Sequence, residues 1–599
     1  MSERKDQLDI EPALRLLDRH WKSVTVLAWL ILCAWFLYNR WDQSVSFTLL
    51  DTDDNMRISQ VRALLNGQDW FDLRQYRLNP PYGANIHWSR LVDLPLAGLL
   101  LLLRPLVGGP DAERIAVSIA PLLPYLLLLF GLALTARRLI HPAAFILAFL
   151  ALFTAGSTNG MFMPTRIDHH GWQLALLSIA VAGLADPKHA RGGATLGIAT
   201  ALSLAIGLEL LIYLALAGAA TVLFWVDEGD EKRRLAAYAV TLAGGTALSF
   251  VVFASYANRL AVCDALSPAW LSDALLSGAL LFGLAVLSPG DWKHRLALAV
   301  GAGVVVALFH AWMWPHCLSR LEGVSPEVQR LWLNNVREAR PVYRASWQTA
   351  TTILGLPVTG VLGWSLLVWH NRRDRALLRR TLAAALPALA ATLLLFWQIR
   401  TGPAAQMLSV VGAIAIVWIV APIADSSRQP VVRTAGLVLA VMIGLGAIVP
   451  FALELVPPKK LTPREIAINR ANRMCNSMGG LRAVALQPKG MVFTFVDLGP
   501  RLITVTHHNA VIGPYHRNGE QIADVMNAFR GSAEQAHRIV AKYHSDYLLT
   551  CPNSSTTTIF MSEAPKGFYG QLVRGKVPDW LERVNLPADS PFKMWRVAG

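Results

Sequence analysis

Thirteen mostly apolar stretches follow one another between residues 23 and 453, separated by short polar breaks. About 20 apolar residues of helix cross the core of a bilayer, where a helix satisfies its own backbone hydrogen bonds. One such stretch could be the core helix of a soluble protein, but a series of this length is typical of a bundle of membrane-spanning helices. The composition agrees, with 54% hydrophobic and 16% charged residues.

The pattern predicts an α-helical polytopic membrane protein with about 13 transmembrane helices in residues 23–453. The predicted spans are residues 23–39, 113–136, 142–156, 171–185, 194–207, 209–226, 235–254, 272–288, 296–314, 349–369, 380–397, 404–422 and 433–453. A further apolar stretch, residues 94–107, is broken by Arg104 and Pro105. This stretch is too short to span the bilayer readily, so we expect an interfacial or re-entrant helix there.

Most of the Lys and Arg residues behind the net charge of +15 lie in the short breaks. Basic residues near span ends collect on the cytoplasmic side, so topology explains this charge better than binding to nucleic acid. Alternate breaks carry Arg137 and Arg138, Lys188 and Arg191, Lys232, Arg233 and Arg234, Lys293 and Arg295, the arginines of 372–380, and Arg428 and Arg433. The opposite short breaks carry little beyond Arg166, Arg259 and Arg400.

This pattern predicts that residues 1–22 form a cytoplasmic N-terminus. The odd number of spans then places residues 454–599 outside, together with two long loops, 40–112 and 315–348. The first apolar stretch lacks a small-residue cleavage site, so we expect an uncleaved anchor. The sequence therefore predicts a multi-pass protein of the bacterial inner membrane with a periplasmic C-terminal domain.

The C-terminal domain, residues 454–599, combines two kinds of pattern. Apolar residues alternate in MVFTFVDLG and RLITVTHHN, whereas GEQIADVMNAF has helical spacing. These patterns predict a small α/β domain. Its two cysteines, Cys475 and Cys551, could form a bridge in an oxidising compartment, but sequence supplies no geometry and leaves this open. Five scattered cysteines without metal spacing argue against a cysteine-based metal site.

Acidic residues follow the first span directly, in SFTLLDTDDNMRISQVRALL. Asp51, Asp53 and Asp54 lie at the predicted membrane surface, with Arg57 one turn later. Acids at a helix N-terminus are favoured by the helix dipole, so a purely structural interpretation is available. A binding site for a cation or substrate is the alternative.

A second polar motif, MPTRIDHHGWQL, follows the third span. In an extended chain, residues two apart point the same way, so Asp168 and His170 could hold one ion, with His169 between them. A carboxylate and an imidazole are both competent ligands for a divalent metal. A polar loop that caps a span is the structural alternative.

Two weaker signals come later in the chain. LWLNNVREARPVYRASW places Glu338 between Arg337 and Arg340, and QIRTGP places Arg400 after the eleventh span. A solvated charge cluster and a snorkelling arginine explain them equally well. However, the topology was fixed by other loops and places all four signals on one side. Carboxylates, imidazoles and arginines at one membrane surface suit a phosphate-bearing lipid substrate.

At these residues the chain resembles the catalytic subunit of oligosaccharyltransferases and the wider GT-C glycosyltransferase superfamily, in particular its archaeal-type single-subunit enzymes. DTDDNMRISQVRALL with NPPYGANIHWSRLVDLP resembles their first outer loop, and RIDHH their second acidic motif in its Asp-His-His form. NVRE resembles their loop signature ending in glutamate. QIR resembles the arginine that faces the lipid pyrophosphate.

The resemblance implies an inverting membrane glycosyltransferase. It would move a sugar or oligosaccharide from a polyprenyl-phosphate or pyrophosphate carrier to a periplasmic glycan, lipid or protein acceptor. Position by position, the resemblance implies that Asp53, Asp168, His170 and Glu338 bind Mg²⁺ or Mn²⁺. Asp53 and Glu338 would also be catalytic and contact the acceptor. Arg400 would hold the carrier phosphate, and we expect Arg57 and His169 to contact substrate.

The sequence departs from the family in two places. Asn335 stands where the loop signature usually has Thr or Ser. The C-terminal domain also has no Trp-Trp-Asp-Tyr-Gly element, which reads the hydroxyl of an Asn-x-Ser/Thr acceptor, so protein N-glycosylation does not follow. It has VTHHNAVIGPYHRNGE instead, whose histidines and Arg517 would form either a substrate contact or a turn.

Two alternatives remain open. One is a metal-independent GT-C transferase that uses a polyprenyl-monophosphate sugar. The other is a transporter of lipid-linked glycans. Transporters place ionisable groups near the bilayer midplane, whereas the acids here cluster at one surface, with Glu209 and His310 as the main candidate exceptions.

Overall fold

The structure is a computed structural model that describes residues 11–319, 321–457 and 460–598. The first ten residues of the predicted N-terminal segment lie outside the described residues. Helices dominate up to residue 454, and a small mixed sheet follows near the C-terminus. This agrees with the predicted order of a helical membrane region and an α/β domain.

Each of the thirteen predicted spans contains a helix. The helices of this region are Glu11–Arg19, Trp21–Asn39, Gly109–Ile119, Leu122–Leu139, Phe145–Ala151, Gly156–Gly160, His170–Ala185, His189–Ile206, Leu211–Asp227, Lys232–Phe253, Pro268–Leu287, Trp292–Met313, Trp347–His370, Arg375–Leu394, Gly402–Asp425, Pro430–Gly444 and Ile448–Glu454.

Eight helical segments within the described residues are long and apolar enough to cross a membrane, or nine if the bent pair Pro430–Gly444 and Ile448–Glu454 counts as one span. Three of the other predicted spans form shorter apolar helices, which include His170–Ala185 and Leu211–Asp227. The multi-pass helical class is therefore confirmed. The number thirteen stays a prediction.

Close helix contacts in this region use small residues, as membrane bundles do. Helices Trp347–His370 and Gly402–Asp425 approach so closely that a Cβ atom on Gly363 would lie 1.9 Å from the carbonyl oxygen of Gly412. In contrast, helix Trp292–Met313 has almost no buried side chain. An apolar helix with this exposure fits a lipid-facing position.

The first long loop, residues 40–112, is largely ordered structure. It contains helices Trp41–Val45, Thr52–Leu65 and Asp93–Val107. We call Thr52–Leu65 the acidic helix. The Asp93–Val107 helix covers the predicted interfacial stretch and exposes Leu101, Leu102 and Leu106.

The C-terminal domain contains a five-stranded sheet with strand order β2-β1-β3-β5-β4. The strands are β1 (Met491–Phe493), β2 (Asn509–Ala510), β3 (Tyr547–Thr550), β4 (Leu581–Val584) and β5 (Lys593–Val597). Strands β1, β2 and β3 are parallel, and β5 is antiparallel to β3 and β4. The helices are Pro463–Cys475, Met478–Ala485, Gly499–Val505, Gly519–Arg530, Ala533–Lys542, Ser555–Glu563 and Phe568–Val573.

The alternating stretch RLITVTHHN is mostly not extended. Its residues 501–505 belong to helix Gly499–Val505, where Leu502 and Ile503 are both fully buried. Adjacent residues can both be buried in this helix because it packs against the acidic helix of the first long loop. By contrast, MVF forms β1 and GEQIADVMNAF forms a helix, as the sequence predicts.

The long loops and the C-terminal domain share one hydrophobic core. Trp88 of the first long loop and Leu331 of the second, which is residues 315–348, belong to the same buried cluster as the strands β1 and β3. Arg77 adds a polar connection, since it donates hydrogen bonds to three backbone carbonyls between Ile503 and His508. These three parts therefore lie on the same side of the helical region.

Two disulfides connect residues of this side. Cys475 is bonded to Cys551, the pair that the sequence left open, and Cys263 is bonded to Cys317, a pair that the sequence did not predict. Cys33 is the free cysteine within the described residues. Disulfides persist in oxidising compartments, so their position agrees with the predicted outward orientation.

We expect peptide mass spectrometry of the non-reduced protein to recover both pairs. Replacing Cys475 and Cys551 together by serine should lower the unfolding free energy of the C-terminal domain by about 2–4 kcal/mol, because the bridge closes a long loop. Thermal unfolding of the variant measures this loss, and Cys33→Ala, which adds no polar group and lies outside this domain, is the control that should change it little. Free thiols at these positions in freshly isolated protein would contradict the assignment.

Candidate active site

Asp51 and Asp54 form the N-terminal cap of the acidic helix. The Asp51 side chain accepts a hydrogen bond from the Thr52 amide at 2.6 Å, and Asp54 Oδ2 accepts one from the Asp51 amide at 2.9 Å. Asp51 and Asp54 therefore have the structural role that the sequence allowed, that of acids at a helix N-terminus. Among the described residues, Asp53 accepts no hydrogen bond, so its carboxylate remains available for a ligand.

Arg166 connects the acidic helix to the DHH segment, residues 168–170. Its guanidinium contacts Asp51 Oδ2 at 2.8 Å, Asp54 Oδ2 at 3.4 Å and Asp168 Oδ2 at 2.7 Å. The Asp168 amide also donates to Asp54 Oδ1 at 3.0 Å. Two motifs more than 100 residues apart in sequence therefore meet around one arginine.

Burial and mutual repulsion perturb these acids. Burial, together with the charges of Asp51 and Asp168, raises the pKa of Asp53 well above its usual value. Burial also raises the pKa of Asp54, to about 8. Burial acts in the same direction on Asp168, but Arg166 and the two neighbouring histidines outweigh it and lower its pKa. Such a crowded set of carboxylates favours an added cation.

The histidines of the DHH segment meet Glu209, which lies in the turn between two helices. His169 Nε2 lies 2.9 Å from Glu209 Oε1, and Gln173 donates to Glu209 Oε2 at 2.6 Å. The rings of His169 and His170 are 4.3 Å apart. One ligand atom from each of His169, His170 and Glu209 lies within 4.8 Å of the others. We call Asp53, Asp168, His169, His170 and Glu209 the acidic pocket.

The acidic pocket fits a divalent metal ion. Asp168 Oδ2 is buried and accepts no hydrogen bond of ordinary geometry, although Arg166 lies close to it. Among the described residues, the Asp53 carboxylate accepts no hydrogen bond, and the His170 side chain is half-exposed. Both side chains are therefore available to a ligand. Carboxylate oxygens and imidazole nitrogens together form a donor set that divalent cations accept.

Arg57 contacts residues that lie next to the acidic pocket. It is fully buried, and its guanidinium contacts Asp93 at 2.8 Å and lies over the Trp88 ring at 4.5 Å. It also approaches His169 Nδ1, at 3.5 Å. A fully buried guanidinium presents no surface to a substrate, so its contacts are those of a residue that orients His169 and Trp88.

The C-terminal domain contributes one side of the pocket. The Tyr515 hydroxyl donates to the Thr52 carbonyl at 3.1 Å, and its ring packs edge-on against Trp88. Burial, and then the charges of Asp53 and Asp51, raise the pKa of Tyr515 well above its usual value. The sequence offers no signal for this contact, because it joins positions more than 400 residues apart.

The next two residues contact a different loop. His516 and Arg517 each contact Asp264 at 2.6 Å, and the His516 ring lies 4.5 Å from His87. His516–Asn518 is a 3-10 turn. The structure therefore shows the predicted turn, whose side chains contact Asp264 and His87, and the alternative of a substrate contact stays a prediction. One ligand atom each of His87, Asp264 and His516 also lies within 4.8 Å of the others.

Glu338 and Arg400 lie on two adjoining turns. Turns Arg337–Ala339 and Ile399–Thr401 pack together, and the Ile399 amide donates to the Arg340 carbonyl at 2.8 Å. Both side chains are exposed. Among the described residues, neither forms a hydrogen bond or ion pair with the acidic helix or the DHH segment. The structure thus places Glu338 and Arg400 on adjoining turns but, among the described residues, does not bring Glu338 into contact with the acidic pocket.

Comparison with known proteins defines the fold. No family model matches the sequence, and no curated protein sequence matches it. The chain has the fold of the GT-C membrane glycosyltransferases, as its motifs predict. It is similar to the archaeal oligosaccharyltransferase AglB from Archaeoglobus fulgidus in complex with an inhibitory peptide and a dolichol-phosphate, with a TM-score of 0.67 and 14% identity over 95% of this chain and 73% of that one.

Two further structures are similar. The Archaeoglobus fulgidus oligosaccharyltransferase in complex with Zn and sulfate has a TM-score of 0.58 and 15% identity over 88% of this chain and 67% of that one. ArnT from Cupriavidus metallidurans bound to undecaprenyl phosphate has a TM-score of 0.42 and 13% identity over 95% of this chain and 99% of that one. At these identities, the similarity to the oligosaccharyltransferase establishes the fold alone.

Proposed function

We propose that the protein is an inverting glycosyltransferase of the bacterial inner membrane. It transfers a sugar or oligosaccharide from a polyprenyl-phosphate or pyrophosphate carrier to an acceptor on the periplasmic side. One observation carries the proposal: Asp53 and the DHH segment, distant in sequence, meet in one acidic pocket beneath the C-terminal domain. The similarity to the oligosaccharyltransferase structure that contains a dolichol-phosphate supports a lipid-linked donor.

Asp53, Asp168 and His170 would hold Mg²⁺ or Mn²⁺, with Glu338 as a further ligand if its loop closes onto the pocket. The metal, when bound, would neutralise phosphate charge and help to orient the acceptor. The similar oligosaccharyltransferase complex contains Zn, which supports a metal in this fold. His169 is held by Glu209, so it can orient the DHH segment while the other ligands face the cation.

Exposed side chains around Arg400 suit a lipid carrier. Arg337 and Arg340 are exposed on the adjoining turn, and Trp397 is also exposed beside Arg400. Guanidinium groups bind phosphate bidentately, and exposed aromatic residues at a membrane surface accept both lipid chains and polar headgroups. Arg400 would therefore hold the carrier phosphate as the bond to the sugar breaks.

Asp53 and Glu338 would contact the acceptor. A carboxylate there can hold the nucleophile and accept its proton as it attacks the anomeric carbon. Tyr515 limits the pocket from the C-terminal domain, and Arg57 fixes Trp88 and His169 behind it. In this assignment Arg57 positions other residues and does not contact substrate.

The proposed orientation has support independent of the pocket. The long loops and the C-terminal domain share a core, and both disulfides lie on this side. The alternate breaks rich in arginine lie at the opposite helix ends, which the positive-inside rule assigns to the cytoplasm. These observations support a periplasmic pocket.

Removal of divalent metal tests the proposal. We expect EDTA to abolish sugar transfer by the purified full-length protein with a polyprenyl-linked donor, and Mn²⁺ or Mg²⁺ to restore it. The His170→Ala variant should need a higher Mn²⁺ concentration for half-maximal activity, because it lacks one proposed ligand. His189→Ala, at the opposite helix ends, should behave as wild type.

The alternatives give different results. Undiminished transfer in EDTA would favour the metal-independent transferase. Movement of a lipid-linked glycan across vesicles, without any cleavage of the carrier bond, would favour the transporter.

A further inference from the structure

A cleft of about 340 Å³ lies outside the acidic pocket. It lies between residues 69–76 of the first long loop and residues 255–257, which follow helix Lys232–Phe253. Ligand sites typically have volumes of roughly 300–1,000 Å³ and combine apolar walls with a few placed polar groups. The cleft has this composition, and neither the metal chemistry nor the carrier uses it.

The walls of the cleft are aromatic. Phe71, Tyr76 and Tyr256 line it, and the rings of Phe71 and Tyr256 are 5.8 Å apart. The Arg259 guanidinium lies over the Phe71 ring at 4.3 Å. Tyr76 and Tyr256 are 45% and 55% exposed, so both rings are open to a ligand.

Two carboxylates are fixed at the edge of the cleft. Asp72 accepts hydrogen bonds from the Arg74 amide and the Tyr76 hydroxyl, both at 2.9 Å. Asp69 accepts one from the Phe71 amide at 2.8 Å and lies near the Tyr256 hydroxyl, whose pKa it raises. Each carboxylate keeps unused acceptor capacity, since an ionised carboxylate has about four acceptor positions.

These groups favour a neutral ligand with many hydroxyls. Arg74 also lines the cleft, and its guanidinium and that of Arg259 balance the charges of Asp69 and Asp72, so the cleft favours neither a phosphate nor a cation. A sugar ring has apolar C–H faces that pack on aromatic rings, and hydroxyl groups at its edge that donate to carboxylates. The cleft supplies both the aromatic rings and the carboxylates that a sugar ring needs.

The cleft is connected to the acidic pocket by one short segment, residues 85–88. Asn85 lines the cleft, His87 contacts His516, and the Trp88 ring lies 5.7 Å from His169. Three residues of chain span at most about 10 Å. A group in the cleft would therefore be a neighbour of the reacting group and not the reacting group itself.

We propose that this cleft binds a neutral sugar ring of a glycan substrate, next to the unit that reacts. The inference rests on the proposed function and specifies it: at least one substrate is a glycan chain that extends from the acidic pocket across Asn85. Tyr256 and Phe71 would hold the faces of the ring. Asp69 and Asp72 would accept hydrogen bonds from its hydroxyls.

The test uses the full-length protein in lipid nanodiscs and an array of neutral, anionic and amino oligosaccharides that carry no lipid. We expect binding of neutral glycans. Tyr256→Ala should weaken this binding at least tenfold, and Tyr256→Phe should weaken it less, because it keeps the ring. Asp72→Asn should also weaken it, whereas Asp111→Asn, an exposed aspartate of the same loop, should not. Tyr256 is exposed, so its variants test the cleft even if Asp72→Asn does not fold.

Further measurements distinguish failure of the cleft proposal from failure of the proposed function. A raised KM for the lipid-linked donor in Tyr256→Ala assigns the ring to the donor glycan, and a raised KM for the acceptor assigns it to the acceptor. Asp168→Asn should keep glycan binding while it loses transfer. If the wild-type protein bound neutral glycans but transferred no sugar from a polyprenyl-linked donor, the proposed function would fail and the cleft would stand. Preference for anionic glycans, or equal binding by wild type and Tyr256→Ala, would overturn the inference.

Discussion

Asp168→Asn should lower the rate of sugar transfer at least about a hundredfold, the scale of losing one electrostatic contact to a transition state. Asparagine keeps the shape of the side chain and can still accept the hydrogen bond that Asp168 Oδ1 receives from the His170 amide at 3.0 Å. It loses the negative charge that a cation requires. Arg166 keeps Asp51 and Asp54 as partners, so the local fold should survive while the chemistry does not.

Initial rates with a polyprenyl-linked donor measure this effect. The matched control is Asp111→Asn, which removes an exposed carboxylate paired with Arg114 and should leave the rate unchanged. A loss that appears only in KM for the acceptor would indicate that Asp168 contributes to binding and not to the reaction. Normal transfer by Asp168→Asn would remove Asp168 from the site.

Arg166→Ala should cause the largest loss of stability, about 3–5 kcal/mol, the usual cost of breaking a buried ion pair from one side. The side chain of Arg166 is 10% exposed, and those of its partners Asp54 and Asp168 are fully buried. Without the guanidinium, these carboxylates lack their counter-charge. A bound divalent cation would supply part of it, so added Mn²⁺ should stabilise Arg166→Ala more than wild type.

Thermal unfolding followed by tryptophan fluorescence, with and without Mn²⁺, tests this prediction. Arg114→Ala is the control, because it removes an exposed ion pair that typically contributes less than about 1 kcal/mol. Equal increases in the unfolding temperature of wild type and Arg166→Ala on addition of Mn²⁺ would contradict binding of a cation by Asp54 and Asp168.

The helices of the membrane region follow from the sequence because apolar length and basic breaks are local signals. Every predicted span contains a helix, and the fold that the motifs imply is confirmed by the solved structures. The joint core of the long loops and the C-terminal domain had no such signal. It depends on contacts such as that of Arg77 with the carbonyl of Ile503, 426 positions away.

The candidate site was predictable only in part. The sequence identified Asp53 and Asp168, but it could not show that the neighbours of Asp53 cap the acidic helix. Arg166 resembled a minor exception to the charge pattern, and Glu209 a candidate ionisable group near the bilayer midplane. Both reach the DHH segment through tertiary contacts, which residue spacing does not encode.

Anomalous X-ray diffraction from crystals grown with Mn²⁺ tests the central claim most directly. The account predicts one strong peak within bonding distance of Asp53, Asp168 and His170. A peak between His87, Asp264 and His516 instead, or no peak at all in crystals of the active protein, would contradict it.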